Sequence, residues 1–153
     1  MTVTLPDMTE IENALMEAFQ SLNAHQINFP EDMPEKINDE VWGNYAKKAT
    51  ESIWGKISLQ DNIYFIFGQD EKLLDVGKAS SKNRDIRNRL KRHIISCSDG
   101  TSSKLQLVKD YICCKRNTTI YVATLRIEPE EYYQMAESFY IANCNPVWNS
   151  RID

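Results

Sequence analysis

The sequence has no apolar run approaching the roughly 20 residues that a helix needs to cross a bilayer. Its first residues, MTVTLPDMTEIE, are acidic and lack the basic start and apolar stretch of a secretory signal. Internal repeats and low-complexity segments are absent as well. These absences predict a soluble, cytoplasmic (intracellular) protein with no membrane partner.

Cysteine and histidine are scarce, with four cysteines and two histidines. No two cysteines have the C-x-x-C spacing of zinc ribbons or redox motifs. Cys113 and Cys114 are adjacent, so on a strand they would point to opposite faces. We interpret all four as reduced thiols, some of them small core residues. The two histidines, His25 and His93, lie too far apart in sequence to define a site by themselves.

What is present suits one folded domain, or one core with an appendage: 153 residues, 42% of them hydrophobic and 10% aromatic. The net charge of −4 is unevenly distributed. Residues 1–59 carry ten acids and four bases, whereas residues 60–153 carry twelve acids and fourteen bases. A solvated helix face and a phosphate-binding patch are equally good interpretations of the densest basic stretch. Its seven bases are Lys78, Lys82, Arg84, Arg87, Arg89, Lys91 and Arg92.

The first 59 residues are predicted to form a helical N-terminal extension. A capping box at Thr9–Glu12 precedes apolar residues at helical spacing. A linker with two prolines follows, and Asn38 or Asp39 then caps a second helix. We expect these helices to pack on the core, to form a homodimer contact or to bind a partner. The two apolar stripes are Ile11, Leu15, Phe19 and Leu22, and then Val41, Tyr45, Ala49 and Ile53.

Residues 60–153 show strand patterns. The apolar run 63–67, a turn and the segment 72–77 predict a β-hairpin. The β-branched segment 118–127 predicts a third strand. The fold class is therefore α+β, with a small three-stranded antiparallel sheet flanked by helices.

Helices are predicted around these strands. One begins near Asn83, with Ile86, Leu90, His93 and Ile94 on one stripe, and a short helix then runs to about Tyr111. The last helix follows Pro129 and ends at Asn145-Pro146. Its predicted buried side is Tyr132, Met135, Ala136, Phe139 and Tyr140.

A phosphodiester hydrolase needs a group that positions or deprotonates water, a cation for the phosphate, a carboxylate for Mg²⁺ and an acid for the leaving group. Arg89 and His93 are four residues apart on one helix and project from the same side. Glu137 lies on the last helix, and Asn149 follows an apolar turn. Each could equally be an ordinary surface or strand residue when taken alone.

The segment NIYFIFGQDEKLLDVGKASSKNRDIRNRLKRH resembles the signature of GIY-YIG nucleases, in which a hairpin leads into a basic helix. Asn62-Ile63-Tyr64 stands in for the first tripeptide and Asp75-Val76-Gly77 for the second, with eleven positions between Tyr64 and Asp75. Arg89 and His93 fall at the family's helix positions, Glu137 at its metal-binding glutamate and Asn149 at its terminal asparagine. The resemblance covers about residues 60–151.

The resemblance implies a metal-dependent endonuclease acting on DNA. Tyr64 would position or deprotonate water, Arg89 would stabilise phosphoryl oxygens, and His93 would aid proton transfer or hold the tyrosine. Glu137 would bind one Mg²⁺ or Mn²⁺, completed by water and phosphate. Asn149 would fix neighbouring side chains. Lys78, Arg87 and Arg92 would contact the phosphate backbone, within the basic segment 78–93.

Two departures from the signature matter. Asn62 replaces a glycine, which costs little in a strand. Asp75 replaces a tyrosine, a phenol of pKa about 10 that can donate a hydrogen bond, with a carboxylate of pKa about 4 that only accepts. Three outcomes stay open: Asp75 acts as a base or second metal ligand, Tyr64 suffices alone, or the domain is a nucleic-acid-binding or protein-interaction module that does not cleave.

Overall fold

The computed structural model describes residues 1–5, 10–79, 85–96 and 102–149. Within these ranges the chain forms an α+β fold of five strands and five α-helices. The strands are β1 (Thr2–Thr4), β2 (His25–Asn28), β3 (Ile63–Phe67), β4 (Leu73–Lys78) and β5 (Thr119–Glu128). The helices are α1 (Ile11–Gln20), α2 (Asp39–Thr50), α3 (Ile86–Ile94), α4 (Ser103–Lys109) and α5 (Tyr133–Cys144). None of these helices is long and apolar enough to span a membrane.

The long strand β5 is the centre of a mixed sheet. On one side β3 pairs with it antiparallel, and β4 pairs with β3 to complete the predicted hairpin. On the other side β2 pairs antiparallel with 119–122, and β1 pairs parallel with 126–128. The α+β class and the three predicted strands are confirmed, but the sheet has five strands and is mixed, whereas the sequence predicted a small three-stranded antiparallel sheet. The segment predicted to be a helical extension adds two strands, one of them parallel.

A β-bulge in the hairpin determines which side chains face the site. The register shifts between Ile66 and Phe67, so that Ile66 lies opposite Asp75 and Tyr64 lies opposite Gly77. Directly opposed residues, and residues two apart on one strand, share a face of the sheet. Tyr64 and Asp75 therefore project to the same side.

Helices cover both faces of the sheet. On one face α2, α3 and α4 enclose a core that includes Trp42, Tyr64, Leu90 and Val108. On the other face α1 and α5 enclose a second core, which includes Leu15, Phe65 and Tyr140. The predicted apolar positions Ile11 and Leu15 of α1 are buried as expected. Thr9 of the predicted capping box lies outside the described residues.

The apolar stripe predicted for the second helix is wrong in its first half only, because Ala49 packs against the core and Ile53 is buried. Asn38 caps the helix as predicted, accepting a hydrogen bond from the Val41 amide. Val41 and Tyr45 are nevertheless 37% and 38% exposed, while Trp42 and Ala46 are fully buried. The indole of Trp42 stacks on Phe29 and donates a hydrogen bond to the Ile94 carbonyl, which turns this side of α2 inward.

The predicted buried side of the last helix is confirmed in part, and Phe139 also packs against the core. Ala136 and Tyr140 are buried as predicted, but Tyr132 and Met135 are 40% and 37% exposed. Tyr140 donates a hydrogen bond to the Leu15 carbonyl at 2.7 Å, which fixes the face that α5 presents to the core. The helix ends before Asn145, which has a positive φ of 50°.

Two details of the middle region differ from the sequence prediction. α3 begins at Ile86, capped by Asp85, and the predicted start near Asn83 lies outside the described residues. Its stripe Ile86, Leu90 and Ile94 is buried as predicted. Cys113 and Cys114 lie in a π-helical turn that continues α4, not in a strand. Together with Cys144 they are free thiols, and Cys97 is not among the described residues.

Candidate active site

A cleft of about 430 Å³ opens between the β3–β4 hairpin, α3, the start of α4 and α5. Seven of the nine residues predicted from the sequence to form the site line this cleft. Asp75 lies buried beneath it, and Arg87 faces elsewhere. The lining residues are Tyr64, Val76, Gly77, Lys78, Arg89, Arg92, His93, Ser102, Ser103, Lys104, Glu137 and Asn149.

The phenol of Tyr64 lies directly over Gly77. A Cβ atom at Gly77 would approach the Tyr64 ring to 2.2 Å, far inside van der Waals contact. Glycine is therefore needed at this position for the ring to occupy its place. Tyr64 is only 3% exposed, and it is one of the residues that line the cleft.

Asp75 is fully buried and holds two neighbouring groups. Its Oδ2 accepts a hydrogen bond from the Tyr64 hydroxyl at 3.1 Å, and its Oδ1 pairs with the Lys104 ammonium at 2.5 Å. The Lys104 charge compensates the carboxylate that would otherwise repel a phosphate. Burial, followed by the Asp75 charge, raises the pKa of Tyr64 well above its ordinary value, so Tyr64 is a neutral phenol.

Sequence reasoning missed Lys104. Ser102 caps α4 by accepting a hydrogen bond from the Leu105 amide, and this places Lys104 in the first helical turn. A serine before an apolar run is a readable cap signal. It does not show that the lysine side chain reaches a strand residue 29 positions earlier in the chain.

Arg89 has an unsatisfied donor in the cleft. Its Nε is buried and has no hydrogen-bond partner among the described residues. A buried unpaired donor costs about 1–3 kcal/mol, and more when the group is charged. Arg89 also lines the cleft, and the geometry of a guanidinium group suits phosphate oxygens.

His93 is uncharged at neutral pH. Burial, followed by the charges of Arg89, Lys104 and Arg92, lowers its pKa from 6.5 to about 4. Its Nδ1 lies 3.2 Å from the Ser102 hydroxyl, and its ring lies 5.6 Å from the ring of Tyr64. A neutral imidazole in this position can accept a proton or orient a water molecule.

Glu137 is paired with Lys78. The Lys78 ammonium lies 2.9 Å from Glu137 Oε1, and the glutamate side chain is 17% exposed. The described residues contain no group of three or more histidine, cysteine or acidic side chains that could hold a metal ion. Mg²⁺ and Mn²⁺ need few protein ligands when water and phosphate oxygens complete the shell. One carboxylate at an open cleft fits such a site, provided that Lys78 releases it.

Asn149 fixes the edge of the hairpin. Its Nδ2 donates to the Val76 carbonyl at 3.0 Å, and its Oδ1 accepts from the Val76 amide at 2.9 Å. The side chain thus substitutes for a neighbouring strand on the outer side of β4. This contact anchors the 3₁₀ turn Val147–Asn149 beside the cleft and gives Asn149 a positioning role.

Arg87 and Arg92, the two remaining residues predicted to contact phosphate, lie in different places. Arg87 donates from its Nε to the Ile57 carbonyl at 2.9 Å and does not line the cleft, whereas Arg92 does. Lys82 and Arg84 of the basic stretch lie outside the described residues. Asn62 pairs through its side-chain amide with both backbone groups of Ile127, which extends the pairing of β3 with β5.

Comparison with protein-family models, curated proteins and solved structures gives no match to this chain.

Proposed function

We propose that the protein is a metal-dependent endonuclease that hydrolyses phosphodiester bonds in DNA. The observation that carries the proposal is the position of Tyr64, Arg89, His93 and Glu137 around one cleft. These side chains come from β3, α3 and α5. They include the residue types that phosphodiester hydrolysis requires: a phenol, a cation, a neutral imidazole and a carboxylate.

The charge of the cleft supports an anionic substrate. Four cationic side chains line it, against the carboxylates of Glu137 and of Asp75 beneath the floor. The excess of positive charge attracts phosphate although the whole chain carries a net charge of −4. The four cations are Lys78, Arg89, Arg92 and Lys104.

Each residue of the cleft would have a separate role in phosphodiester hydrolysis. Arg89 would donate hydrogen bonds to the non-bridging oxygens of the scissile phosphate, where negative charge builds up. Tyr64 would orient the attacking water, and neutral His93 would accept or relay a proton. Glu137 would hold a divalent cation, which supplies Lewis-acid stabilisation of the phosphoryl oxygens when bound. Asn149 would keep β4 in place.

The resemblance to GIY-YIG nucleases supports the same proposal. Tyr64 of the first tripeptide and Gly77 of the second are direct partners in the hairpin. The close approach of the phenol to Gly77 gives a physical reason for a glycine in the second tripeptide.

Two observations favour a second candidate, a nucleic-acid-binding module that does not cleave. Asp75 accepts the Tyr64 proton in a hydrogen bond and its charge disfavours the phenolate, while Lys78 occupies Glu137. A site that keeps Lys78 on Glu137 could bind a phosphate through Arg89 and Arg92 without binding a metal.

The two candidates are separated by plasmid cleavage in Mg²⁺ or Mn²⁺. We expect the wild type to cleave and Glu137→Gln to be inactive, while the matched control Glu131→Gln, an exposed residue before α5, retains activity. Cleavage by Glu137→Gln at the wild-type rate would refute the proposed metal site. Salt-sensitive DNA binding that Arg89→Gln weakens, with no cleavage in either metal, would establish the binding module instead.

A further inference from the structure

Tyr64, Asp75 and Lys104 form a chain of three side chains whose two ends line the cleft and whose middle member, Asp75, is buried. The Tyr64 hydroxyl lies 3.1 Å from Asp75 Oδ2, and the Lys104 ammonium lies 2.5 Å from Asp75 Oδ1. Asp75 is fully buried, and the Lys104 side chain is 19% exposed. The charged pair is therefore shielded from water on the aspartate side and reaches the cleft on the lysine side.

The chemistry of these three side chains fixes which group donates and which accepts each hydrogen bond. An ionised carboxylate only accepts hydrogen bonds, and an ammonium group only donates them. The Tyr64 hydroxyl must therefore donate its hydrogen inward to Asp75. Its oxygen keeps lone pairs for the cleft side, where they can accept a hydrogen bond from a water molecule beside the phosphate.

We propose that Asp75, held ionised by Lys104, is the positioning residue that makes Tyr64 a proton acceptor for the attacking water. This inference rests on the proposed nuclease function. The water gives a proton to the Tyr64 oxygen while the Tyr64 hydroxyl proton moves to Asp75 Oδ2. The water oxygen forms a bond to phosphorus, and the bond from phosphorus to the leaving oxygen breaks. The leaving oxygen takes a proton from solvent, and Asp75 returns its proton through Tyr64 after product release.

This relay avoids a free phenolate. A phenolate beside the Asp75 carboxylate would place two negative charges within hydrogen-bond distance in a buried setting, which is costly. When both protons move together, Tyr64 stays neutral and the Asp75 carboxylate becomes a neutral carboxylic acid. The relay thus assigns a proton-accepting role to Asp75, the residue that replaces the second tyrosine of the signature.

The test compares kcat and KM across pH for the wild type, Asp75→Asn and the control Asp70→Asn. Asp70 lies in the exposed turn of the same hairpin and loses the same charge. We expect Asp75→Asn to lower kcat by about 100-fold or more, the usual range for loss of a general base, with KM nearly unchanged. The acid limb of the kcat profile should change, leaving only the contribution of other groups such as His93, and Asp75→Glu should restore part of the rate.

The outcomes separate the two proposals. A wild type that cleaves, together with an Asp75→Asn variant of unchanged kcat, overturns the relay and leaves the nuclease function intact. A wild type that never cleaves overturns both. If Asp75→Asn fails to fold, as judged by circular dichroism, the wild type alone decides through kcat in mixtures of H₂O and D₂O. Two protons in motion give a curved dependence on the deuterium fraction, and a straight line overturns the relay.

Discussion

The ammonium group of Lys78 lies 2.9 Å from Oε1 of Glu137, so the lysine competes with a metal ion for this carboxylate. The Lys78 side chain is 38% exposed, and an ion pair at that exposure contributes about 0.2–1 kcal/mol. Displacement is therefore inexpensive, and the released lysine is free to contact phosphate.

Lys78→Met should tighten metal binding. Removing the competing cation is expected to raise the affinity for Mn²⁺ by about 1.4- to fivefold, which corresponds to that range of free energy. Isothermal titration calorimetry measures the change, and Lys72→Met, on the exposed turn of the hairpin, serves as control. Equal affinity in all three proteins would mean that Lys78 does not compete at Glu137.

Gly77→Ala should destabilise the fold and disturb the cleft. The new Cβ would lie 2.2 Å from the Tyr64 ring, which must move. Overpacking of this kind costs about 1–3 kcal/mol in the free energy of unfolding, measurable by urea denaturation. Gly55→Ala is the matched control, because a Cβ there meets no atom within 4 Å. A Gly77→Ala protein as stable as Gly55→Ala would contradict the close approach.

Lys104→Met should cost much more stability than Lys109→Met on the same helix. The first change leaves Asp75 fully buried without its lysine, a loss of about 3–5 kcal/mol. The second frees Asp39, which is 85% exposed and regains water, a loss of about 1 kcal/mol or less. Adding Asp75→Asn to Lys104→Met should recover part of the larger loss. Equal destabilisation by the two lysine changes would show that Asp75 does not depend on Lys104.

His93 should titrate near pH 4 in the free protein and at higher pH when an oxyanion fills the cleft. Burial and three neighbouring cations lower its pKa, and a bound anion opposes those charges. NMR of the two histidine rings measures both values, with His25 as the internal control that ligand leaves unchanged. An unchanged His93 pKa with saturating phosphate or oligonucleotide would place the anion elsewhere.

The same shift makes stability depend on pH. Above pH 6.5 His93 is neutral in both the folded and the unfolded chain and has no effect. Between 6.5 and about 4 the unfolded chain binds a proton that the folded protein does not, so the free energy of unfolding falls as the pH is lowered. Denaturation of His93→Gln across this window should lack that contribution. A variant with the wild-type pH profile would assign the dependence to other groups.

The strands and helices that can be predicted from the sequence are those whose own residues show a clear pattern. The apolar run of β3 and the β-branched residues of β5 identify strands without reference to the rest of the chain. β1 and β2, with three and four residues, are too short to show a period, and they form because β5 offers a free edge. The inward face of α2 depends on where Trp42 finds a partner, which lies far away in the sequence.

The candidate site shows the same division. The resemblance to the GIY-YIG signature points to Tyr64, Arg89, His93, Glu137 and Asn149, and all five line the cleft. The contacts that modify them were not predictable. Lys104 reaches Asp75, and Lys78 reaches Glu137, through tertiary proximity that no periodic pattern encodes.

The pairing of β1 and β2 along one edge of β5 has a consequence for fragments of this chain. Residues 60–153 alone would keep the cleft residues but leave one side of a ten-residue strand with unpaired amides and carbonyls. Exposed edges of that length associate with other strands. A shortened protein would therefore be prone to aggregation. In the full chain β1 and β2 cover this edge of β5 and protect it from such association.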